Sequence, residues 1–524
     1  VAEGSSPAMP AEEQAERRNL YAAVVAALLA MLLGALDGMI VGTAMPQVVG
    51  ELGGVDRLSW VVTVYLLAIA VSTPVWGKLG DMFGRKSAFV VTVVVFVAGS
   101  MLCGAAQDMN QLIAFRLLQG IGGGGLMVSA LALVGTLIPP REQGRYQGLM
   151  SAVMGLAMVS GPLVGGVITD HLGWRWCFYV NLPVGAVALL LIAGLRLPRL
   201  PRTGARVDYP GALLLTAAIS AVVLVTTWGG KEYAWTSPVL FGLAAVGVAA
   251  CAALLVVERR AAAPMLPLTL FKSANFSLIT LVGVLLGAVM TSAVTFLPIL
   301  GQSARGTSAT GSGLLLLPMF AAQMAVGLVA GRFITATGKY KIVVLVGGAF
   351  MVLGTLLLGT AGAGAGAVVQ GACMAALGVG MGLLTQTTVL VSLQSSPVED
   401  LGAASATATL ARTLGGSLGV AVSGAFFARA LGDAAPAGGG APASEGGAVL
   451  DPAALDGLSG AARDAVLDGT TQVFLFTAVL AVVALTAAFL LKEVPLRGAP
   501  TAGDDTPDED GTAHASAPGT KEVS

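Results

Sequence analysis

Three ionisable side chains stand inside or at the head of long apolar stretches of this 524-residue chain: Asp37 within residues 20–43, Arg116 at the start of 117–140, and Arg412 within 401–428. A charged side chain at the centre of an apolar membrane helix costs about 2.5–3.5 kcal/mol on insertion scales, so its presence calls for a partner or a role. Asp37 suits the uptake and release of a proton. It equally suits a permanent ion pair or the capping of a neighbouring helix, and residue types alone leave these readings open. Arg116 is its expected partner. If the first span runs outward and the fourth inward, a rise of 1.5 Å per residue sets both at a depth of roughly 10 Å below the outer face. A guanidinium there can grip a carboxylate through two hydrogen bonds. Pairing favours the charged acid and separation favours the proton, which ties protonation to conformation. Arg412 has no acid at matching depth in its own half of the chain, leaving carbonyls, glutamines, water or an anion as candidate partners.

The elements that must carry these residues follow from composition. Charged residues make up 11% of the chain and hydrophobic ones 56%, against about 25% charged in a soluble domain. The 71 glycines keep no three-residue period, which excludes collagen, and the apolar content excludes disorder for most of the length. A polytopic membrane protein remains. Stretches free of Asp, Glu, Lys and Arg cover 58–77, 87–107, 117–140, 146–169, 176–195, 209–230, 233–257, 273–304, 306–331 and 469–491. Spans 20–43 and 401–428 hold one charge each, and the uncharged 342–398 is long enough for two spans with a break at GTAGAGAG, residues 359–366. With about 20 residues needed per crossing, the expectation is an all-α integral membrane protein with 14 transmembrane helices. Barrel strands would be short and alternating, so a barrel is excluded.

Loop charges set the orientation. With the N-terminus inside, inner segments hold 19 Lys and Arg residues, Lys521 of the distant tail left aside, and outer segments 6, so both termini are expected to be cytoplasmic. No signal peptide is expected, since residues 1–19 are polar and lead straight into a full span. The net charge of −1 gives no electrostatic case for nucleic acid. The four cysteines are isolated, and His171 and His514 are unpaired with other ligands, so no metal site or disulfide framework is expected.

An internal repeat organises the spans. GKLGDMFGRK at 77–86 follows the second span and GRFITATGKYK at 331–341 follows the tenth. Both set two glycines seven apart with basic residues behind them, while Thr335 stands where the first copy has Asp81. An offset of eight spans is one six-helix unit plus two extra helices. The expected layout is a cytoplasmic segment 1–19, a six-helix bundle 20–196, a linker 197–208 and two inserted helices 209–257. A linker 258–276, a second bundle 277–492 with an outside loop at about 430–468, and an acidic tail 493–524 complete it. Residues 452–468 are expected to form a short surface helix in that loop. Such repeats are common in transporters, with the substrate path between the halves.

These segments, in order, resemble the major facilitator superfamily and, within it, the fourteen-span drug:proton antiporter family. LDGMIVGTAMP at 36–46 resembles the first-helix signature, and 77–86 the cytoplasmic loop motif. RLLQG at 116–120 resembles the fourth-helix motif, AMVSGPLVGG at 157–166 the fifth-helix antiporter motif, and WRWCFYVNLP at 174–183 the segment leading into the sixth helix. The resemblance covers about residues 20–430. It implies two six-helix bundles plus two inserted helices, and a bacterial cytoplasmic-membrane antiporter exporting lipophilic drugs or antibiotics by alternating access. It implies no catalysis and no cofactor beyond the proton gradient. The partners implied are a small lipophilic molecule, protons and the bilayer, with the monomer as the working unit. A uniporter or symporter of a native metabolite, or a membrane enzyme, is the alternative.

The resemblance assigns roles residue by residue. Asp37 and Arg116 would couple protons. Gly77, Asp81, Gly84, Arg85 and Lys86 would form a gate, although basic loops also serve orientation alone. Gly161, Pro162, Gly165 and Gly166 would form a seal against leak, or simply close packing. Arg412, Gln119, Met154, Met158, Tyr65, Phe296 and Phe320 are candidates for the cargo path, each also at home in ordinary packing. Gly122–Gly125 suit packing rather than phosphate binding, because no GK[ST] accompanies them. Trp60, Trp174, Trp176, Trp228 and Trp235 are expected as interfacial anchors. With one intramembrane acid and two arginines, neutral, zwitterionic or weakly anionic cargo is favoured over dications.

Overall fold

A computed structural model describes residues 11–53, 57–138, 143–194, 208–230, 232–261, 264, 266–305, 316–361, 366–433 and 460–493. The described chain is helical almost throughout. Its long helices are α1 (Ala11–Leu52), α2 (Leu58–Phe83), α3 (Arg85–Gly104), α4 (Met109–Leu137) and α5 (Gln143–Leu172). A single turn, Trp176–Tyr179, leads into α6 (Asn181–Ala193). Then come α7 (Tyr209–Trp228), α8 (Pro238–Glu258), α9 (Ala274–Arg305), α10 (Leu317–Thr337) and α11 (Lys341–Ala361). The last three are α12 (Ala367–Gln394), α13 (Leu401–Asp433) and α14 (Gly460–Leu490). Among the described residues 13 helices are long and apolar enough to cross a membrane. The one left out is α5, where the qualifying apolar stretch is only Gly148–Ala157.

Local chemistry fixes the helix ends. The Asp108 carboxylate accepts from the Gln111 N–H at the start of α4, and Asp208 does the same for Gly211 at α7. Between α2 and α3 the chain turns in one residue, Gly84, at φ 98°, a region that side chains disfavour. Gly338 ends α10 at φ 72° and opens the three-residue connection to α11. Two boundaries depart from the sequence expectation. Residues 306–331 read as one span because nothing charged interrupts them, yet α10 begins at Leu317 with Pro318 in its first turn and runs on to Thr337. Residues 460–468, expected in a separate surface helix, are the first turns of α14.

Helices α1–α6 are called the first half and α9–α14 the second; one buried apolar core lies within the second, and another joins α1–α6 to Phe276 of α9, Val389 and Leu393 of α12 and Leu401 of α13. Glycines bring helices within backbone distance. A Cβ on Gly99 of α3 would lie 2.6 Å from the Gln119 backbone of α4, and one on Gly354 of α11 2.5 Å from the Leu377 backbone nitrogen of α12. Gly122, Gly124 and Gly125 likewise press α4 against α2 and α3, a packing role. The halves meet where α2 and α4 touch α13 and where α5 touches α10 and α12. Helices α7 and α8 pair with each other, and α7 leans on α2 and α13.

One end of the first half is tied by Glu51. Its carboxylate accepts from Arg175 Nη1 at 2.5 Å and Trp174 Nε1 at 2.6 Å, and Arg175 Nη2 donates to the Ala106 carbonyl at 3.2 Å. Trp174 is therefore buried rather than an interfacial anchor, because its indole N–H is spent on Glu51. The hydrogen bonds from Arg175 and then Trp174 hold the Glu51 carboxyl below its ordinary range. A depressed acid contributes stability above its unfolded pKa and loses it as pH falls through the folded one. The melting-temperature difference between wild type and Glu51→Gln is thus expected to hold from neutral pH down to the usual carboxylate range, and to close only below it.

Candidate functional site

Asp37 lies on α1, fully buried, and three side chains converge on its carboxylate. Arg116 Nη1 of α4 donates to Oδ2 at 2.6 Å. Gln119 Nε2, one turn further along α4, donates to Oδ1 at 2.7 Å, and Asn181 Nδ2 of α6 donates to the same oxygen at 3.1 Å. The sequence points to the Asp37–Arg116 pair, but not to its geometry. The guanidinium meets one carboxylate oxygen rather than two, because the amides of Gln119 and Asn181 occupy the other. Gln119, a candidate for the cargo path, sits on the acid instead. Asn181 is absent from the sequence-derived roles, although an amide in an apolar run was the visible signal.

A second layer holds the first. Arg116 Nη1 also donates to Gln119 Oε1 at 2.8 Å, and the guanidinium lies 3.7 Å from the centre of the Tyr65 ring. Asn181 Nδ2 donates to Ser100 Oγ at 2.9 Å, and Ser100 to the Phe178 carbonyl at 2.9 Å. The carboxylate is satisfied as an anion. Arg116 has two further contacts, the Gln119 oxygen and the Tyr65 π face, that can hold its charge if the acid becomes neutral.

One cavity adjoins this network through Tyr65, and a second lies beyond it. The first, of about 160 Å3, is lined by Gly34 and Ala35 of α1, Tyr65 and Ile69 of α2, Met127 of α4 and Arg412 of α13, among others. The other, about 120 Å3, reaches Gln323 of α10 and Thr385 and Gln386 of α12. Met31, Met127, Met154 and Arg412 border both. Methionines are flexible fillers, so the wall between the voids is soft. Tyr65 is the hinge of the arrangement, since it stacks on Arg116 and faces the larger cavity. Of the other candidates, Met154 lines both cavities, whereas Phe296 packs against Phe427 with centroids 5.3 Å apart and Phe320 is buried in the second half's core. Neither phenylalanine lines either of these two cavities. The side chains of Met158 and Pro162 lie outside the described ones. Gly161 lets α1 approach α5 at Met39, Gly165 accepts from Thr169 Oγ1 at 2.6 Å, and Gly166 faces open space.

The α2–α3 loop closes one end of the molecule. Asp81 at the end of α2 accepts from the backbone N–H groups of Gly402 at 3.0 Å and Ala403 at 2.9 Å, the first turn of α13 in the other half. It takes the orphan donors of a helix N-terminus, where a negative charge is favoured. Arg85 braces it at 3.3 Å and donates to Thr136 Oγ1 at 2.7 Å. Lys86 donates to the Ala193 carbonyl at 3.1 Å. A Cβ on Gly77 would lie 2.7 Å from both the Gly402 carbonyl and Ala406 Cβ, so only glycine permits the closure. Among the described residues the repeat copy builds no such latch: the Thr335 hydroxyl turns back onto the Gly331 carbonyl at 2.9 Å. Asp81→Asn replaces one of two acceptors by a donor. Hydrogen bonds to charged groups contribute about 1.5–3 kcal/mol each, so the ratio of closed to open molecules should fall by about tenfold or more. Spin labels at Phe83 and Lys339 would then gain a longer distance component.

Long apolar helices packed around buried cavities, with an ion-paired acid beside one of them, are the architecture of a membrane transporter. The chain belongs to the Major Facilitator Superfamily, whose sequence profile matches residues 27–420. It is 39% identical over 511 residues to an uncharacterized MFS-type transporter of Mycobacterium tuberculosis, covering 96% of this chain and 73% of that one. It is 36% identical over 419 residues to the multidrug transporter protein MdtP of Bacillus subtilis, covering 80% and 77%. Among solved structures, the human organic anion transporter MFSD10 superposes with a TM-score of 0.58 at 15% identity, covering 90% of this chain and all of that one, a likeness of fold. The protein is thus a multi-pass membrane transporter with multidrug relatives.

Proposed function

We propose that this transporter exports lipophilic drugs or antibiotics across a bacterial cytoplasmic membrane in exchange for protons. It does so by alternating access, as a monomer of fourteen spans with both termini in the cytoplasm. The observation that carries the reading is the position of Tyr65, which touches the Asp37–Arg116 pair on one side and the larger cavity on the other. Cargo entering that cavity presses on Tyr65 and on the turn of α1 just before Asp37. Displacing Arg116 from the carboxylate favours a proton on Asp37, and the return of Arg116 expels it. The latch at Asp81 supports an assignment of this conformation to the outward-facing state, closed at the cytoplasmic end. Similarity to the Bacillus multidrug transporters supports the class of cargo.

Inside-out vesicles loaded with a pH-sensitive dye test the proposal. Adding a lipophilic drug to energised vesicles should release protons from the lumen in proportion to drug uptake. Drug movement without proton release would make the protein a uniporter and overturn the coupling.

A further inference from the structure

We propose that Arg412, with Gln323, Thr385 and Gln386 around it, forms a subsite for the anionic headgroup of an amphipathic cargo, whose apolar body lies on the methionines opposite. The inference rests on the transporter reading and names the cargo class for the same cavity.

Arg412 is a cation inside the protein with no ion pair to any described acid. Among the described residues its side chain donates from Nη2 to Met127 Sδ at 3.5 Å, a weak acceptor for a charged donor. Around the smaller cavity, three polar atoms are buried without a hydrogen-bond partner: Gln323 Oε1, Thr385 Oγ1 and Gln386 Nε2. Gln386 is 2% exposed and Gln323 7%, so bulk water does not answer for them. Buried polar groups ordinarily find partners, and three that have none among the described residues, beside a guanidinium held only by a thioether, make a recognition surface awaiting its ligand.

The balance of donors decides the ligand's sign. A guanidinium offers a fork that matches a carboxylate, and a carboxylate so held has lone pairs left for the Thr385 hydroxyl and the Gln386 amide. Either glutamine can turn its amide over to present N–H or oxygen. A cationic headgroup would face Arg412 with no acid lining either cavity, since Asp37 is occupied by three donors. The polar groups all come from α10, α12 and α13 of the second half. Met31, Met127, Met150 and Met154 come from α1, α4 and α5 of the first. An amphipathic anion therefore bridges the halves, its head held by one and its body by the other.

Three probes that share one apolar body separate the possibilities: pyrenebutanoate, pyrenebutanamide and pyrenebutylammonium. Binding is read by fluorescence on purified protein, and transport in proteoliposomes under an imposed pH gradient. Wild type should bind the carboxylate about tenfold more tightly than the amide. Arg412→Gln should erase that preference while leaving amide binding in place, and Arg412→Lys should keep part of it. Gln386→Leu, which leaves the cation untouched, should weaken carboxylate binding alone and covers the case in which Arg412 variants fail to fold. Equal binding of all three, tightest binding of the ammonium, or a preference that survives Arg412→Gln would overturn the subsite. Proton-driven export of the ammonium as the best substrate would uphold antiport and sink the subsite. Arg412-dependent carboxylate binding with no probe moved by the gradient would do the reverse.

Discussion

Asp37→Asn is expected to yield a folded transporter in which cargo movement no longer responds to a proton gradient. The amide is isosteric and its oxygen can accept from Gln119 and Asn181 as Oδ1 does, with its NH2 in the place of Oδ2, so the packing of α1 against α4 and α6 survives. Arg116 retains the Gln119 oxygen and the Tyr65 face, which are independent of the acid's charge. What disappears is the one buried acid of the network that can carry a proton. Export driven by a pH gradient should fall to the level of protein-free vesicles. Exchange of labelled for unlabelled cargo, which needs no proton, should persist. Full drug-driven proton release from Asp37→Asn vesicles would exclude Asp37 as the carrier.

The largest loss of stability is expected at the other member of the pair. Arg116→Met keeps the length of the side chain but leaves the Asp37 carboxylate buried with amide donors alone. Breaking a buried ion pair from one side costs about 3–5 kcal/mol, because the remaining charge is uncompensated. The Tyr65 ring also loses the cation it faces. The double variant Asp37→Asn/Arg116→Met removes both charges and should recover most of that loss. Thermal unfolding in detergent across the four proteins measures the coupling. Additive losses would mean that the 2.6 Å contact contributes little and that the pair serves transport alone.

How far the sequence reaches can be judged from particular residues. The long apolar runs carry the helices because each must satisfy its own backbone in lipid, and that demand is local. Charge depth pairs Asp37 with Arg116 for the same reason, since a cation and an acid at one level in an apolar medium have few other options. Asn181 escapes because its partners, Asp37 and Ser100, lie 144 and 81 residues away, and only the docking of α6 against α1 and α3 joins them. Trp174 reads as an interfacial anchor from its place near a span end, and only the fold reveals Glu51 beneath its indole. The start of α10 is hidden because residues 306–316 carry no charge to mark a boundary, leaving Pro318 as the sole cue. The cavity wall of Gln323, Thr385 and Gln386 is legible only after α10 and α12 are packed.

Asp81 has a counterpart in the repeat, Thr335, that grips nothing beyond its own helix among the described residues. A carrier latched at one repeat and, among the described residues, not at the other is lopsided in time as well as in shape. In the orientation proposed above it waits with its cavity turned to the outside and visits the inward state briefly. Cargo in the cytoplasm must then catch a minority of carriers. At low concentrations the speed of clearance is set by how often α2 lets go of α13, so a looser latch makes a faster pump at the cost of a leakier membrane.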